Sequence, residues 1–191
     1  MPPDDITIRS GRAEDRAAIE AVTLAAYGQY AEVLPAPLWA GYRQNIVATL
    51  TAAAPANLIV AEAGGALVGS VLLIPAGGTM AAPGLAASAP LAEPELRLLA
   101  VAPAGRGRGV GRRLVEECMR RSRAAGARAL TLHTTDMMEV AMALYERMGF
   151  ARAAELDFRP GPSLLVRDTG SNCSVFGLPP HPALSPEGRG G

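Results

Sequence analysis

Glu95-Leu-Arg-Leu-Leu-Ala-Val-Ala-Pro-Ala-Gly-Arg-Gly-Arg-Gly-Val-Gly-Arg-Arg113 is the stretch whose reading decides the fold of this chain. From Glu95 to Val101 it is short and mostly apolar, as a buried strand is. Pro103 and Gly105 stop that strand, because proline lacks the ladder donor and glycine accepts any turn geometry. Arg106-Gly-Arg-Gly-Val-Gly111 then runs into a helical pattern at Val110, Leu114, Val115, Cys118 and Met119. The spacing predicts strand, glycine-rich turn, helix. The first turn of a helix exposes unpaired N–H groups and a partial positive charge. Glycines let an anion approach that backbone with no Cβ in the way, so the segment reads as a phosphate cradle with arginines beside it.

Which cradle it is follows from the spacing. A nucleoside triphosphate loop needs Gly-x-x-x-x-Gly-Lys-Ser/Thr, and this chain has no lysine. A dinucleotide fold wants Gly-x-Gly-x-x-Gly near the first strand, whereas here Gly107-x-Gly109-x-Gly111 lies past the midpoint. Arg106-x-x-Gly109-x-Gly111 after a strand ending Val-Ala-Pro closely resembles the signature of the GNAT superfamily of N-acetyltransferases. That resemblance implies an α/β (α+β sandwich) fold of acyl-CoA N-acyltransferase type. Its mixed, partly parallel central sheet would be flanked by about four helices. It also implies acetyl-CoA as the acetyl-donating cosubstrate, with its pyrophosphate on the loop and helix start: Arg106, Gly107, Arg108, Gly109, Val110, Gly111 and Arg112. In the superfamily the preceding strand bonds the pantetheine arm through its backbone, which here points to Leu99, Ala100 and Val101.

Outward from this centre, composition sets the limits. At 191 residues with 49% hydrophobic and 19% charged content, the chain can bury a core and is not of the disordered class. Zero net charge argues against a general nucleic-acid binder. Arg120, Arg121, Arg123 and Arg128 make a local basic face that a solvated helix also explains. The Met-Pro-Pro-Asp-Asp start shows no secretory pattern, and no apolar run is long enough to span a bilayer, so the expectation is cytoplasmic with no membrane partner. Two cysteines, Cys118 and Cys173, and two distant histidines, His133 and His181, suggest neither a disulfide framework nor a metal centre.

In chain order, Ile6 to Arg9 alternates like a strand. Glu14 and Asp15 open a helix with an apolar stripe at Ala18, Ile19, Val22 and Ala26. Pro37 suits the first turn of a second helix, with Leu38, Tyr42, Ile46 and Leu50 at helical spacing. Leu58 to Ala63 and Ala66 to Ile74, separated by Gly64-Gly65, predict a hairpin. Pro75 to Pro94 reads as a long, mobile loop. After the cradle helix, Gly126 is its stop. Ala129 to Thr134 is a strand, about Met138 to Met148 a helix, and Phe150 to Phe158 a returning strand. The alternation implies a partly parallel sheet covered on both faces. Leu164 to Arg167 adds an edge strand. Residues 1–167 form one domain, and residues 168–191, rich in Gly, Ser, Asn and Pro, read as a disordered tail.

A second landmark supports the resemblance. Tyr145-Glu-Arg-Met-Gly-Phe150 at the end of the later helix is similar to the superfamily's Tyr-Glu-x-x-Gly-Phe. There the matching tyrosine protonates the leaving thiolate, which implies Tyr145 as general acid. Phenol and thiol, at pKa roughly 10 and 8.5, are close enough to exchange a proton when held together; a packed tyrosine with a satisfied hydroxyl is the plain alternative. Many members carry an asparagine seven residues before that tyrosine, and this chain has Met138, which cannot donate such a bond. Thr135 and Asp136 are the nearby polar substitutes. Glu95, at the entrance of the central strand, is the candidate general base, with Glu93 and His133 as weaker ones. Tyr27, Tyr30, Trp39, Tyr42 and Arg43 fall where the superfamily recognises its acceptor, though aromatics there are commonly core.

The expected activity is acetyl transfer from acetyl-CoA to a primary amine, carried on a small molecule or a peptide, by direct attack on the thioester. No metal takes part, and a homodimer is left open. A non-catalytic coenzyme A sensor of the same fold is the alternative, separable by its indifference to Tyr145 and Glu95. A nucleic-acid binder using the arginine-rich helix would instead show salt-dependent retention on DNA.

Overall fold

The computed structural model describes residues 6–79, 89–135, 137–152 and 174–177. The strands are β1 (Ile6–Ser10), β2 (Leu58–Ala63), β3 (Ala66–Ile74), β4 (Glu95–Val101), β5 (Thr131–Thr134), β6 (Ala151–Arg152) and β7 (Ser174–Gly177). The helices are α1 (Arg16–Tyr27), α2 (Ala36–Ala52), α3 (Val110–Ala124) and α4 (Glu139–Arg147). The strands form one sheet in the order β1-β2-β3-β4-β5-β7-β6. Among the described residues only β4 and β5 run parallel; the other neighbouring pairs are antiparallel. The sheet is therefore mixed and partly parallel, and four α-helices flank it.

Local chemistry explains the boundaries. Gly64 and Gly65, at φ 58° and 79°, make the two-residue turn between β2 and β3 that the strand twist favours. Asp15 accepts the Arg12 backbone N–H at 2.8 Å and so closes the turn that leads into α1. Pro37 lies in the first turn of α2. Gly126, at φ 78°, ends α3, and Ala127 N–H reaches back to Ser122 O at 3.0 Å, the reach of a glycine-terminated helix.

The two faces of the sheet carry separate cores. α3 and α4 cover one face, where Leu114, Val115 and Cys118 pack with Ile59, Val71, Leu96 and Leu132. α1 and α2 cover the other, where Ile19, Val22, Ile46 and Leu50 pack with Leu58, Val60 and Leu72. The close seat of α3 depends on Gly69 in β3. A Cβ there would stand 2.7 Å from Val110 Cγ1 and 3.0 Å from Ala100 O, so any side chain would lift the helix start off the sheet. On the α1 face, Thr23 and Ser70 share a buried hydroxyl bond at 3.1 Å, which satisfies both polar groups inside the layer.

Three sequence expectations differ in extent. Within the segment read as a tail, Ser174–Gly177 forms β7, inserted between β5 and β6 with Leu132 opposite Phe176. A segment poor in apolar residues can still gain a ladder on both sides, which composition does not reveal. The strand expected over Phe150 to Phe158 is described only as Ala151–Arg152, and the edge strand over Leu164 to Arg167 lies outside the described residues. The loop over residues 75–94 is described at its two ends, where Gly77 N–H bonds Leu91 O and Leu91 N–H bonds Gly78 O, both at 2.8 Å. Among the described residues no helix is long and apolar enough to cross a membrane.

Candidate active site

The site begins with a defect in the sheet. The parallel ladder between β4 and β5 holds only Glu95↔Thr131 and Leu96↔Leu132. On its other side β4 pairs with β3 through Leu72↔Arg97 and then Ser70↔Ala100, so Leu98 and Leu99 stand against Val71 alone. This is a bulge, and Leu98 takes φ 51°, a left-handed conformation costly for a branched side chain. Beyond Leu96, β4 and β5 are no longer paired. A hollow of about 370 Å³ occupies the gap, opening toward the start of α3.

At one end of the hollow lies the glycine turn. Gly107 and Gly109 have φ 74° and 73°, and a Cβ at either would meet nothing within 4 Å, so the space over this backbone is open. α3 starts at Val110, and Arg113 N–H is bonded to Gly109 O at 3.0 Å. Helix geometry leaves the N–H groups of Val110, Gly111 and Arg112 without intrahelical acceptors. Arg106 and Arg112 line the hollow, and so does Arg147 from the last turn of α4. Arg147 escaped the sequence reading, although its place two residues after Tyr145 was a usable signal. Arg108 sits in the turn outside the lining, and Gly111 lines it with Leu144 Cδ2 3.4 Å from where its Cβ would be. The arrangement is a backbone anion cradle with three guanidinium groups at its rim, suited to a pyrophosphate.

Along β4, the side chains of Leu99 and Val101 line the hollow, while that of Ala100 is buried toward α1. On the β5 side of these residues the strand ladder has already ended, so their main-chain groups face the gap and can bond an extended amide-bearing chain. Met138 precedes α4 and lines the hollow. Asp136, one of the two polar substitutes considered for it, lies outside the described residues. The other, Thr135, has a buried hydroxyl with no partner among the described residues, and so does Thr134, which lines the hollow. Thr134 was not singled out from sequence because a strand threonine carries no motif.

Tyr145 lines the hollow from the α4 side, only 5% exposed, with its ring 5.6 Å from that of Phe150. Burial pushes its phenol well above the usual tyrosine range, so the hydroxyl stays protonated at working pH. Tyr27 and Tyr30 line the opposite side, so the hollow passes through the sheet from one layer to the other. Burial raises both of these phenols too. Tyr27 stacks edge-on with Tyr30 at 5.8 Å and with Tyr42 at 5.9 Å, and Trp39 follows at 6.2 Å from Tyr42. Of these aromatics, Tyr27 and Tyr30 reach the hollow, whereas Trp39 and Tyr42 pack behind them.

Glu95 begins β4 as expected, but it is 1% exposed and does not line the hollow. His133 Nδ1 stands 3.1 Å from its Oε1, and Arg97 Nε stands at 3.6 Å. Neither is aligned for a hydrogen bond to that oxygen. His133 and Arg97 both line the hollow, in front of the carboxylate. Glu93 lies elsewhere: its Oε2 accepts the backbone N–H groups of Arg128 and Ala129 at 3.1 and 3.2 Å, a structural clasp before β5. It borders a larger hollow of about 520 Å³ at the far end of α3, which contains none of the motif residues. On the basic face, Arg120 and Arg121 both bond Glu117 within α3, and at the start of the helix Arg112 bonds Glu116. Cys118 is fully buried with its thiol pushed up to about 12, so it is no ready nucleophile.

The family model described as the acetyltransferase (GNAT) family matches residues 19–150. Solved structures of the same fold include a histone acetyltransferase HPA2 and related acetyltransferase from Corynebacterium glutamicum. It is 22% identical at TM-score 0.65, over 94% of this chain and 98% of that one. A PaiA N-acetyltransferase from Thermoplasma acidophilum, solved in complex with coenzyme A, is 16% identical at TM-score 0.63, over 92% and 99%. A GNAT-family acetyltransferase from Bacillus cereus is 13% identical at TM-score 0.61, over 93% and 99%. No curated protein matches the chain by sequence.

Proposed function

The chain belongs to the acetyltransferase (GNAT) family, and from that premise we propose that it transfers the acetyl group of acetyl-CoA to a primary amine by direct attack on the thioester. The observation that carries this reading is the gap between β4 and β5, with an anion cradle at one end and a buried phenol in its wall. The residues fit coenzyme A. The open space over Gly107 and Gly109 suits a pyrophosphate, with Arg106, Arg112 and Arg147 to neutralise it. The unladdered backbone from Leu99 to Val101 suits the pantetheine amides, and the orphaned Thr134 hydroxyl offers them a bond that Met138 cannot.

When bound there, acetyl-CoA supplies an activated acyl carbon and a thiol leaving group. The chain's own part is to hold and to move protons. Main-chain N–H groups of β4 orient the carbonyl and stabilise charge on its oxygen. The wall of Leu98, Leu99 and Val101 excludes water, which strengthens each polar contact inside. Tyr145 keeps its proton until the departing thiolate, shielded from water in the same hollow, forms beside it. The acceptor is expected from the side of Tyr27 and Tyr30, as a small molecule or peptide bearing the amine. Internal pairing of the α3 arginines supports a reading without nucleic acid. Titration calorimetry with coenzyme A, followed by an acceptor screen reading released thiol, tests the proposal. Absence of binding by the folded protein would end it.

A further inference from the structure

Resting on that reading, we propose that His133 is the catalytic base that takes the acceptor's proton, and that Glu95 is a positioning residue behind it. The register sets this up. Glu95↔Thr131 and Leu96↔Leu132 are paired in a parallel ladder, so Glu95, Arg97 and His133 fall on the same face of the sheet. That is the face covered by α1, whose Tyr27 lines the same hollow. Depth then separates the roles. A base must touch its proton, and the Glu95 side chain, 2% exposed, lies behind the wall. The His133 side chain, 24% exposed, is part of the wall.

The carboxylate also has reason to be there. A buried carboxylate oxygen without a hydrogen bond is costly, yet Glu95 Oε1 has none aligned to it. His133 Nδ1 is already at 3.1 Å, so a small ring rotation completes a bond. A proton on Nδ1 facing Glu95 places the basic lone pair on Nε2. When Nε2 takes the acceptor's proton, the imidazolium that forms has the carboxylate oxygen 3.1 Å from its Nδ1. Among the described residues, the other charged or titratable groups around the hollow are Arg97 on β4, Tyr27 and Tyr30 on the α1 side, Tyr145 and Arg147 on α4, and Arg106 and Arg112 at the cradle. Arg97, the charged neighbour on the same face, has its Nε 3.6 Å from the same carboxylate oxygen.

Protons and electrons balance as follows. His133 Nε2 takes one proton from the acceptor ammonium and later returns it to solvent. The freed nitrogen lone pair forms the N–C bond to the acetyl carbon, and the C–S bond breaks with its electron pair going to sulfur. Tyr145 gives its proton to that sulfur. The tyrosinate regains a proton from the amide nitrogen, leaving amide, thiol and the enzyme as it began.

Two measurements test this. The chain has two histidines, so imidazole resonances in labelled protein are assigned by the one missing from His133→Gln. Glu95→Gln keeps the shape and removes the charge 3.1 Å from Nδ1, so the His133 ring resonances should move at fixed pH. Unmoved resonances overturn the pairing, and this readout needs neither acceptor nor acetyl-CoA. Thiol release from acetyl-CoA with water as acceptor is then followed against pH. Wild type should show a limb that rises with pH. Glu95→Gln should alter that limb, and His133→Gln should remove it with a loss of on the order of 10²-fold. Thiol release by His133→Gln equal to wild type at every pH, or a limb that survives in it, overturns the base assignment. Calorimetry with coenzyme A on the same proteins reports separately whether the cosubstrate reading stands.

Discussion

The backbone N–H of Phe150 donates to the carbonyl of Tyr145 at 3.0 Å, and the two rings lie 5.6 Å apart. Between them Gly149 takes φ 87°, which lets the chain reverse at the end of α4 and lay Phe150 against the phenol. Tyr145-Glu-Arg-Met-Gly-Phe150 is thus a mechanical unit: the helix end positions the tyrosine and the returning chain clamps it.

Gly149→Ala should therefore cost about 1–2 kcal/mol, because a Cβ at that positive φ is strained. Urea unfolding measures the loss. The effect should extend to Tyr145, seen as a broadened ring resonance. An unchanged unfolding midpoint would mean that the reversal does not depend on glycine.

Truncation separates two readings of the C-terminal segment. Deleting residues 168–191 removes β7, which pairs with β5 through Thr131 to Thr134 and with β6. Loss of about 2 kcal/mol, or roughly 4–8 °C in melting temperature, is expected from those cross-strand pairs. Deleting residues 178–191 should change little by comparison. Equal melting of both truncations and the full chain would show that β7 adds nothing to stability.

Much of the sheet was legible because β2, β3 and β4 are mostly apolar runs closed by turn residues, Gly64-Gly65, Pro75 and Pro103. The glycine cradle was legible because φ near 73° at Gly107 and Gly109 is a demand on residue type that sequence displays. The bulge at Leu98 and Leu99 was not, since leucine carries no mark of a left-handed backbone. For the same reason the depth of Glu95 was hidden: a charge at a strand start reads as exposed until the register buries it. The partnership of Glu95 with His133 arises from the parallel ladder of β4 and β5, a long-range pairing that no local pattern records.

Acid should weaken the fold through Asp15. The hydrogen bond from Arg9, at 2.6 Å, lowers its carboxyl from 3.8 to about 2, with the Arg12 N–H assisting. Glu117 is lowered from 4.5 to about 2, first by Arg120 and then by Arg121. The unfolded chain binds more protons than the folded one between those values. The stabilisation is therefore whole above about pH 4.5 and lost as pH falls toward 2. Arg9→Met should flatten the slope of unfolding free energy over that window. An identical slope would show that the Arg9–Asp15 pair has no part in it.

Gly109→Glu tests the cradle. The open space over its backbone would be filled, and a carboxylate would stand where an anion is expected. Coenzyme A affinity should fall by at least about 10²-fold in calorimetry. Because φ is 73° there, Gly109→Ala must be run beside it to account for backbone strain. Alanine should cost stability but retain much of the affinity. Full affinity in a folded Gly109→Glu would place the pyrophosphate elsewhere.

Tyr145→Phe tests proton delivery to sulfur. The ring contact with Phe150 survives the change, and only the hydroxyl is removed. Burial raises the phenol, so it stays protonated in the resting site and gives up its proton only to a thiolate formed in the same water-excluded space. The effect should therefore fall on turnover rather than on the Michaelis constant, since the proton moves only as the thiolate forms. A loss of on the order of 10²-fold in turnover is expected, about 2.7 kcal/mol of transition-state stabilisation. Coenzyme A affinity should be unchanged. Water entering the vacated space can protonate the thiolate less well, so the residual rate should rise with buffer acid concentration where wild type does not. Turnover equal to wild type would remove Tyr145 from the mechanism while leaving the cradle and the base untouched.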